Sequence, residues 1–131
     1  MSRYAKNSGA VFSLKYHIVW CPKYRRPVLA GDVAVRLEAV LRQICDEQEW
    51  TIHALEIMPD HVHLFVESDP RWSIAGITNL LKGTSSRVLR TEFPRLRSRL
   101  PTLWSRSYYA GSVGSVSATT VQRYIENQKN H

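Results

Sequence analysis

The sequence is poor in cysteine. Its 131 residues hold two, Cys21 and Cys45, neither in a CxxC pair, which excludes a disulfide framework and suits a reduced cytoplasmic setting. Long apolar runs are also missing. None approaches the roughly 20 residues that cross a bilayer, and the polar first residues do not form a secretory signal. Acid is scarce too: 11 Asp and Glu stand against 18 Lys and Arg, a net charge of +7. There is no internal repeat. At 44% hydrophobic residues the chain is expected to fold as a single domain, residues 1–131.

The excess of base suggests a polyanionic partner, most simply nucleic acid. Its distribution sharpens the point. Between Arg71 and Arg106 eight basic residues face Glu92 alone, whereas between Asp32 and Glu49 five acids outnumber Arg36 and Arg42. Such segregation predicts one basic side. A merely soluble surface would scatter its charges more evenly.

In chain order, residues 1–9 are polar and expected to fray. Phe12 to Trp20 alternates, with Phe12, Leu14, Tyr16, Ile18 and Trp20 on one face and Ser13, Lys15, His17 and Val19 on the other, as in a half-buried strand. His17 could border a site on the polar face. Cys21 to Pro27 reads as a basic loop in which Lys23, Tyr24 and Arg25 suit phosphate contact and base stacking, or simply connect two elements. Asp32 is placed to cap a helix whose core stripe is Val33, Leu37, Val40, Leu41 and Ile44. Trp50 to Ile57 reads as a second strand.

Ser73 to Thr91 reads as a second helix, with Ile77, Leu80, Leu81, Thr84 and Val88 along one side, Lys82 and Arg90 away from it and Arg87 at its border. Gly83 inside this helix implies either a close approach or simple tolerance. Phe93 to Pro101 reads as an arginine-rich loop, and Leu103 to Tyr109 as a fourth strand. Residues 111–116 read as a hinge by composition. Ser117 can cap a last helix, 117–131. The order is that of an α+β ferredoxin-like βαββαβ sheet over 1–110, with one additional C-terminal helix.

Met58-Pro59-Asp60 reads as a turn into a strand beginning His61-Val62-His63-Leu64-Phe65-Val66. Alternation puts Val62, Leu64 and Val66 on one face and both histidines on the other, about 7 Å apart. Two imidazoles at that spacing beside a carboxylate can grip a divalent ion. Two polar residues on an exposed strand face would look the same. On the last helix Tyr124 and Gln128 are four apart and share a face.

Taken together, His61-Val62-His63 after Met58-Pro59-Asp60, Tyr16-His17-Ile18-Val19-Trp20, Lys23-Tyr24-Arg25, Leu81-Lys82-Gly83 and Tyr124-x-x-x-Gln128 resemble the single-tyrosine HUH transposases of small insertion sequences. The resemblance runs from about Val11 to Gln128. It implies that His61, His63 and Gln128 hold Mg²⁺ or Mn²⁺ and that Tyr124 is the nucleophile. It further implies a 5′-phosphotyrosine and a free 3′-hydroxyl, single-stranded DNA with hairpin ends as substrate, and DNA contacts from the basic segments, Lys23, Tyr24, Arg25, Lys82, Arg87 and Arg90 among them. A homodimer is implied as well, in which the tyrosine helix can serve the partner's site in trans across the hinge. Relatives usually carry a further basic tail, whereas three residues follow Gln128 here, which leaves the last turn lightly anchored. Two other readings remain open: a non-catalytic nucleic-acid-binding module on the same sheet, and a metal-dependent nuclease that uses water. The first lacks stacking aromatics on its exposed strand face; the second leaves Tyr124 and Gln128 without a role.

Overall fold

The computed structural model describes residues 6–7, 10–11, 13–112 and 118–131. A short hairpin pairs β1 (Lys6–Asn7) with β2 (Ala10–Val11), so part of the segment expected to fray is backbone-paired. Then come β3 (Leu14–Trp20), α1 (Gly31–Glu47), β4 (Thr51–Met58), β5 (His61–Ser68), α2 (Ile74–Glu92), α3 (Arg95–Arg99), β6 (Tyr109–Ser112) and α4 (Ala118–Glu126). The four longer strands form one antiparallel sheet in the order β4-β5-β3-β6. This is the expected βαββαβ arrangement with an extra helix.

Alternation builds the core. Ile18 and Trp20 of β3 and Val62, Leu64 and Val66 of β5 are buried, packed with Val33, Leu37, Leu41, Ile77, Leu81 and Leu89 of α1 and α2. A fully buried side chain of this kind contributes about 2 kcal/mol, so this layer dominates stability. The opposite sheet face is treated differently. There α4 covers Val19 and Cys21 with Ile125, in a second small cluster joined by Tyr109, Val121 and Tyr124. Val19, expected on a polar face, is therefore buried.

Several local expectations are corrected. Asp32 lies inside the first turn of α1, and Ala30 occupies the cap position without a side-chain bond. Asp32 instead pairs with Arg95 at 3.1 Å. Ser73 does cap α2, its hydroxyl accepting from the Gly76 N–H at 2.9 Å. A Cβ on Gly83 would meet nothing within 4 Å, so that glycine is tolerated rather than required. The arginine-rich loop contains α3. The fourth strand begins at Tyr109, not Leu103.

The reason for that last shift lies in where residues 103–107 spend their backbone groups. Lys23 N–H donates to the Leu103 carbonyl (2.8 Å) and Ser105 N–H to the Cys21 carbonyl (2.9 Å), with an isolated bridge between Pro22 and Trp104. The Lys82 ammonium takes the carbonyls of Ser105 (2.7 Å) and Ser107 (3.1 Å). Strand-like residues thus satisfy themselves against a loop and a lysine, outside the ladder. Gly111 and Ser112, expected in the hinge, end β6 opposite His17 and Tyr16. The rest of the hinge, 113–117 with Ser117, and Phe12 lie outside the described residues.

Candidate active site

β5 carries His61, His63 and Phe65 on the face away from α1 and α2. Asp60, in the turn before β5, lies 2.9 Å from His61 Nδ1 through Oδ1. A carboxylate only accepts, so Nδ1 carries a proton and Nε2 is the nitrogen left to face a ligand. His63 sits across from Val19 of β3 and Glu56 of β4. Its Nε2 is 3.0 Å from His17 Nδ1, and His17 in turn stacks on Phe65 at 4.3 Å with the planes 3° apart. Burial first, then the neighbouring His17, lowers the His63 pKa below the usual imidazole range. His63 is accordingly neutral at ordinary pH, the form that can ligate a metal.

This pair fits a divalent ion: two partly buried imidazoles share one face, and Asp60 holds His61 through Nδ1, which leaves Nε2 for a ligand. His63 offers Nδ1, or Nε2 once His17 lets go. Among the described residues no group of three or more His, Cys, Asp or Glu forms a metal cluster. A third protein ligand would have to be of another type.

Gln128 is such a type, and its position is informative. Beyond Glu126 the helix tightens into a 3₁₀ turn, Asn127–Asn130, where the Gln128 side chain is buried at 5% exposure. Its Oε1 accepts from the hydroxyls of Ser107 (2.9 Å) and Ser105 (3.1 Å). An amide oxygen has two lone pairs, and both are occupied. Ser107 also lies 3.0 Å from the Tyr124 hydroxyl. Ser107 has one proton and gives it to Gln128, which cannot donate through Oε1; the Tyr124 O–H must therefore be the donor to Ser107. The order is Tyr124 to Ser107 to Gln128. Tyr124 and Gln128 share a face, as their spacing predicts, and one serine joins them.

Burial pushes the Tyr124 phenol up to about 12. The Cys21 thiol, in the same cluster beneath α4, is also pushed up to about 12, chiefly by burial. The Cys21 sulfur therefore stays a thiol at ordinary pH.

Arg25 ties the two halves together. Its Nε is 3.3 Å from Asp60 Oδ2, and Nη1 donates to the Ile125 carbonyl of α4 at 3.3 Å. The turn that delivers it holds Tyr24 at φ 58° and Arg25 at φ 51°, left-handed conformations that cost about 1–2 kcal/mol each. A cation at the last-turn carbonyls also suits the helix dipole. The chain from Ile125 through Arg25 and Asp60 to His61 links the helix end to the histidine turn.

The residues expected to contact nucleic acid divide into two groups. Arg25 and Lys82 are spent on internal partners; burial lowers the Lys82 pKa to about 8. Arg90 donates to the Pro101 carbonyl at 3.2 Å. Tyr24 and Arg87 are exposed, and the Lys23 ammonium lies 5.1 Å from the Tyr24 ring centre. Ser105 and Ser107 were not singled out by sequence reasoning. An S-x-S alternation in an irregular segment has no signature that would have marked them.

Comparison with known proteins completes the site's context. Residues 10–128 match the family model described as transposase IS200 like. The chain is 38% identical over 125 residues to the ISDra2 transposase TnpA of Deinococcus radiodurans, covering 94% of this chain and 89% of that one. It is 34% identical over 119 residues to the transposase for insertion sequence element IS200 of Salmonella typhimurium, covering 89% and 78%. A crystal structure from Deinococcus radiodurans assigned as a transposase superposes with a TM-score of 0.86 at 37% identity, over 97% of this chain and 99% of that one. A REP-associated tyrosine transposase bound to a REP hairpin shares the fold, with a TM-score of 0.55 at 12% identity over 98% and 70%. The chain belongs to the IS200-like transposase family.

Proposed function

We propose that this transposase cleaves and rejoins single-stranded DNA through Tyr124, at a site completed by Mg²⁺ or Mn²⁺ on His61 and His63, with Gln128 as third ligand. The observation that carries the reading is the shared sheet face. α4 packs on Val19, and Val19 is the cross-strand neighbour of His63, so phenol and imidazoles belong to one surface. Such an ion, when bound, supplies Lewis-acid polarisation of the scissile phosphate. The chain's own residues do the rest. His61 is oriented by Asp60, and neutral ligands leave the positive charge undiminished.

Tyr124 Oη forms the new bond to phosphorus while the bond to the 3′ oxygen breaks. The phenol's proton is lost and the departing oxygen gains one, which leaves a 5′-phosphotyrosine and a 3′-hydroxyl. A tyrosine ester conserves the phosphodiester for later rejoining, where water would discard it. The substrate proposed is DNA carrying hairpin ends; the half-buried Lys23 and the exposed Tyr24 and Arg87 are candidates to touch it. A homodimer is proposed as the working form, the helix of one subunit able to complete the site of its partner.

The test is a denaturing gel of the protein with labelled single-stranded DNA from the flanks of its own gene, plus Mg²⁺ or Mn²⁺. A metal-dependent protein–DNA adduct is expected, lost in Tyr124→Phe while hairpin affinity stays within about threefold, and lost in His61→Ala and His63→Ala. Cleavage without an adduct would make it a water-using nuclease. Binding alone would make it a non-catalytic module. Mixing Tyr124→Phe with His61→Ala subunits should restore the adduct if the helix works in trans.

A further inference from the structure

Resting on that reading, we infer that Ser107 is a further catalytic residue, whose hydroxyl turns its donated hydrogen bond from Gln128 Oε1 to the Tyr124 oxygen and so couples metal ligation to activation of the nucleophile. Three observations carry this. Gln128 is buried with both Oε1 lone pairs filled by serine hydroxyls at 2.9 and 3.1 Å. It can face a metal only after at least one serine lets go. Ser107 is the one of the two that also reaches Tyr124, at 3.0 Å. And the segment bearing both serines is held from behind by Lys82 through the Ser105 and Ser107 carbonyls, at 2.7 and 3.1 Å, which keeps the hydroxyls in place while the amide moves.

The consequence follows from hydrogen-bond inventory. While Ser107 donates to Gln128, it can only accept from Tyr124, and accepting stabilises the protonated phenol. Once Gln128 withdraws, the Ser107 proton has the Tyr124 oxygen as its partner, and donation favours the phenolate. The phenol's own proton leaves to water, and the departing 3′ oxygen takes one back, so no net proton is consumed. A tyrosine activated only when the third ligand has left its resting bonds does not attack before the metal site is complete.

The experiment separates two effects that a purely structural serine would move together. Mn²⁺ affinity is measured by calorimetry on the DNA-free protein, and the adduct rate at saturating Mn²⁺ on the labelled strand, for Ser107→Ala, Ser107→Thr and Ser105→Ala. Ser107→Ala should bind Mn²⁺ several-fold more tightly, since Gln128 is freed, yet form adduct on the order of tenfold or more slowly, having lost a charge-assisted hydrogen bond. Ser105→Ala should bind Mn²⁺ more tightly with no loss of rate. Ser107→Thr, which keeps the hydroxyl, should restore the rate. Unchanged Mn²⁺ affinity with an unchanged rate in Ser107→Ala would overturn the inference, as would a fall in both. If the unsubstituted protein forms no adduct, the strand-transfer reading fails instead.

Discussion

Tyr124 rests as a phenol that is hard to ionise. Its O–H donates to Ser107, and burial raises its pKa from the ordinary 10 to about 12, with the Ser107 hydrogen bond opposing the rise. A bond in which Ser107 is the donor is available only when Ser107 stops donating to Gln128. A raised acid pKa stabilises the fold below the unfolded value, so this contribution is present below pH 10 and is lost as pH rises towards 12. The difference in tyrosinate absorbance between the protein and Tyr124→Phe should therefore titrate near 12, about two pH units above a free tyrosine. A midpoint near 10 would show an open, solvated phenol. At the same scale His61 and His63 were legible in the sequence, because strand alternation alone puts them on one face. The serines were not, because their role depends on three residues brought together from distant parts of the chain.

The element that carries Tyr124 is lightly docked. α4 buries Ile125 against Val19 and Cys21, whereas α1 and α2 share the large core on the other face. Ile125→Ala removes the middle of that contact and should cost about 2 kcal/mol, the low end for such a change. The loss should appear in hydrogen exchange as faster opening of α4 amides, with β5 protection much less affected. Equal loss in both would make α4 part of the main cooperative unit. Helix and strand periodicity recovered β4, β5 and α2 to within a residue or two, and the start and core stripe of α1. It failed at 103–108, where aromatic and apolar residues read as a strand. Leu103 and Trp104 are indeed buried, but Lys82, Cys21 and Lys23 take the backbone groups a ladder would need. Composition likewise suggested slack at Gly111 and Ser112, and pairing with β3 took them into the sheet.

Over the whole molecule, the association with DNA proposed above would be set by charge. Arg87, Arg97, Arg99 and Arg106 are exposed, while Arg36 pairs with Glu92 at 2.8 Å and Arg25 is held between Asp60 and Ile125. Arg87→Ala should weaken hairpin binding and reduce the slope of log K against log salt by about 0.7–0.9, the share of one phosphate contact. Arg25→Ala should leave that slope unchanged, and a slope reduced by the same amount would make Arg25 a phosphate contact after all. No helix among the described residues is long and apolar enough to cross a membrane, in keeping with a sequence free of long apolar runs.

By itself the sequence determined the order of the βαββαβ elements, the core face of β5, the histidine pair and the Tyr124–Gln128 face, since each follows from a periodicity of two or 3.6 within a single segment. Only the tertiary structure decided which cations are free, what Gln128 and Tyr124 bond, and where the fourth strand starts. Those depend on contacts between segments far apart in the chain, and a buried donor or acceptor takes whatever partner the packing brings within reach.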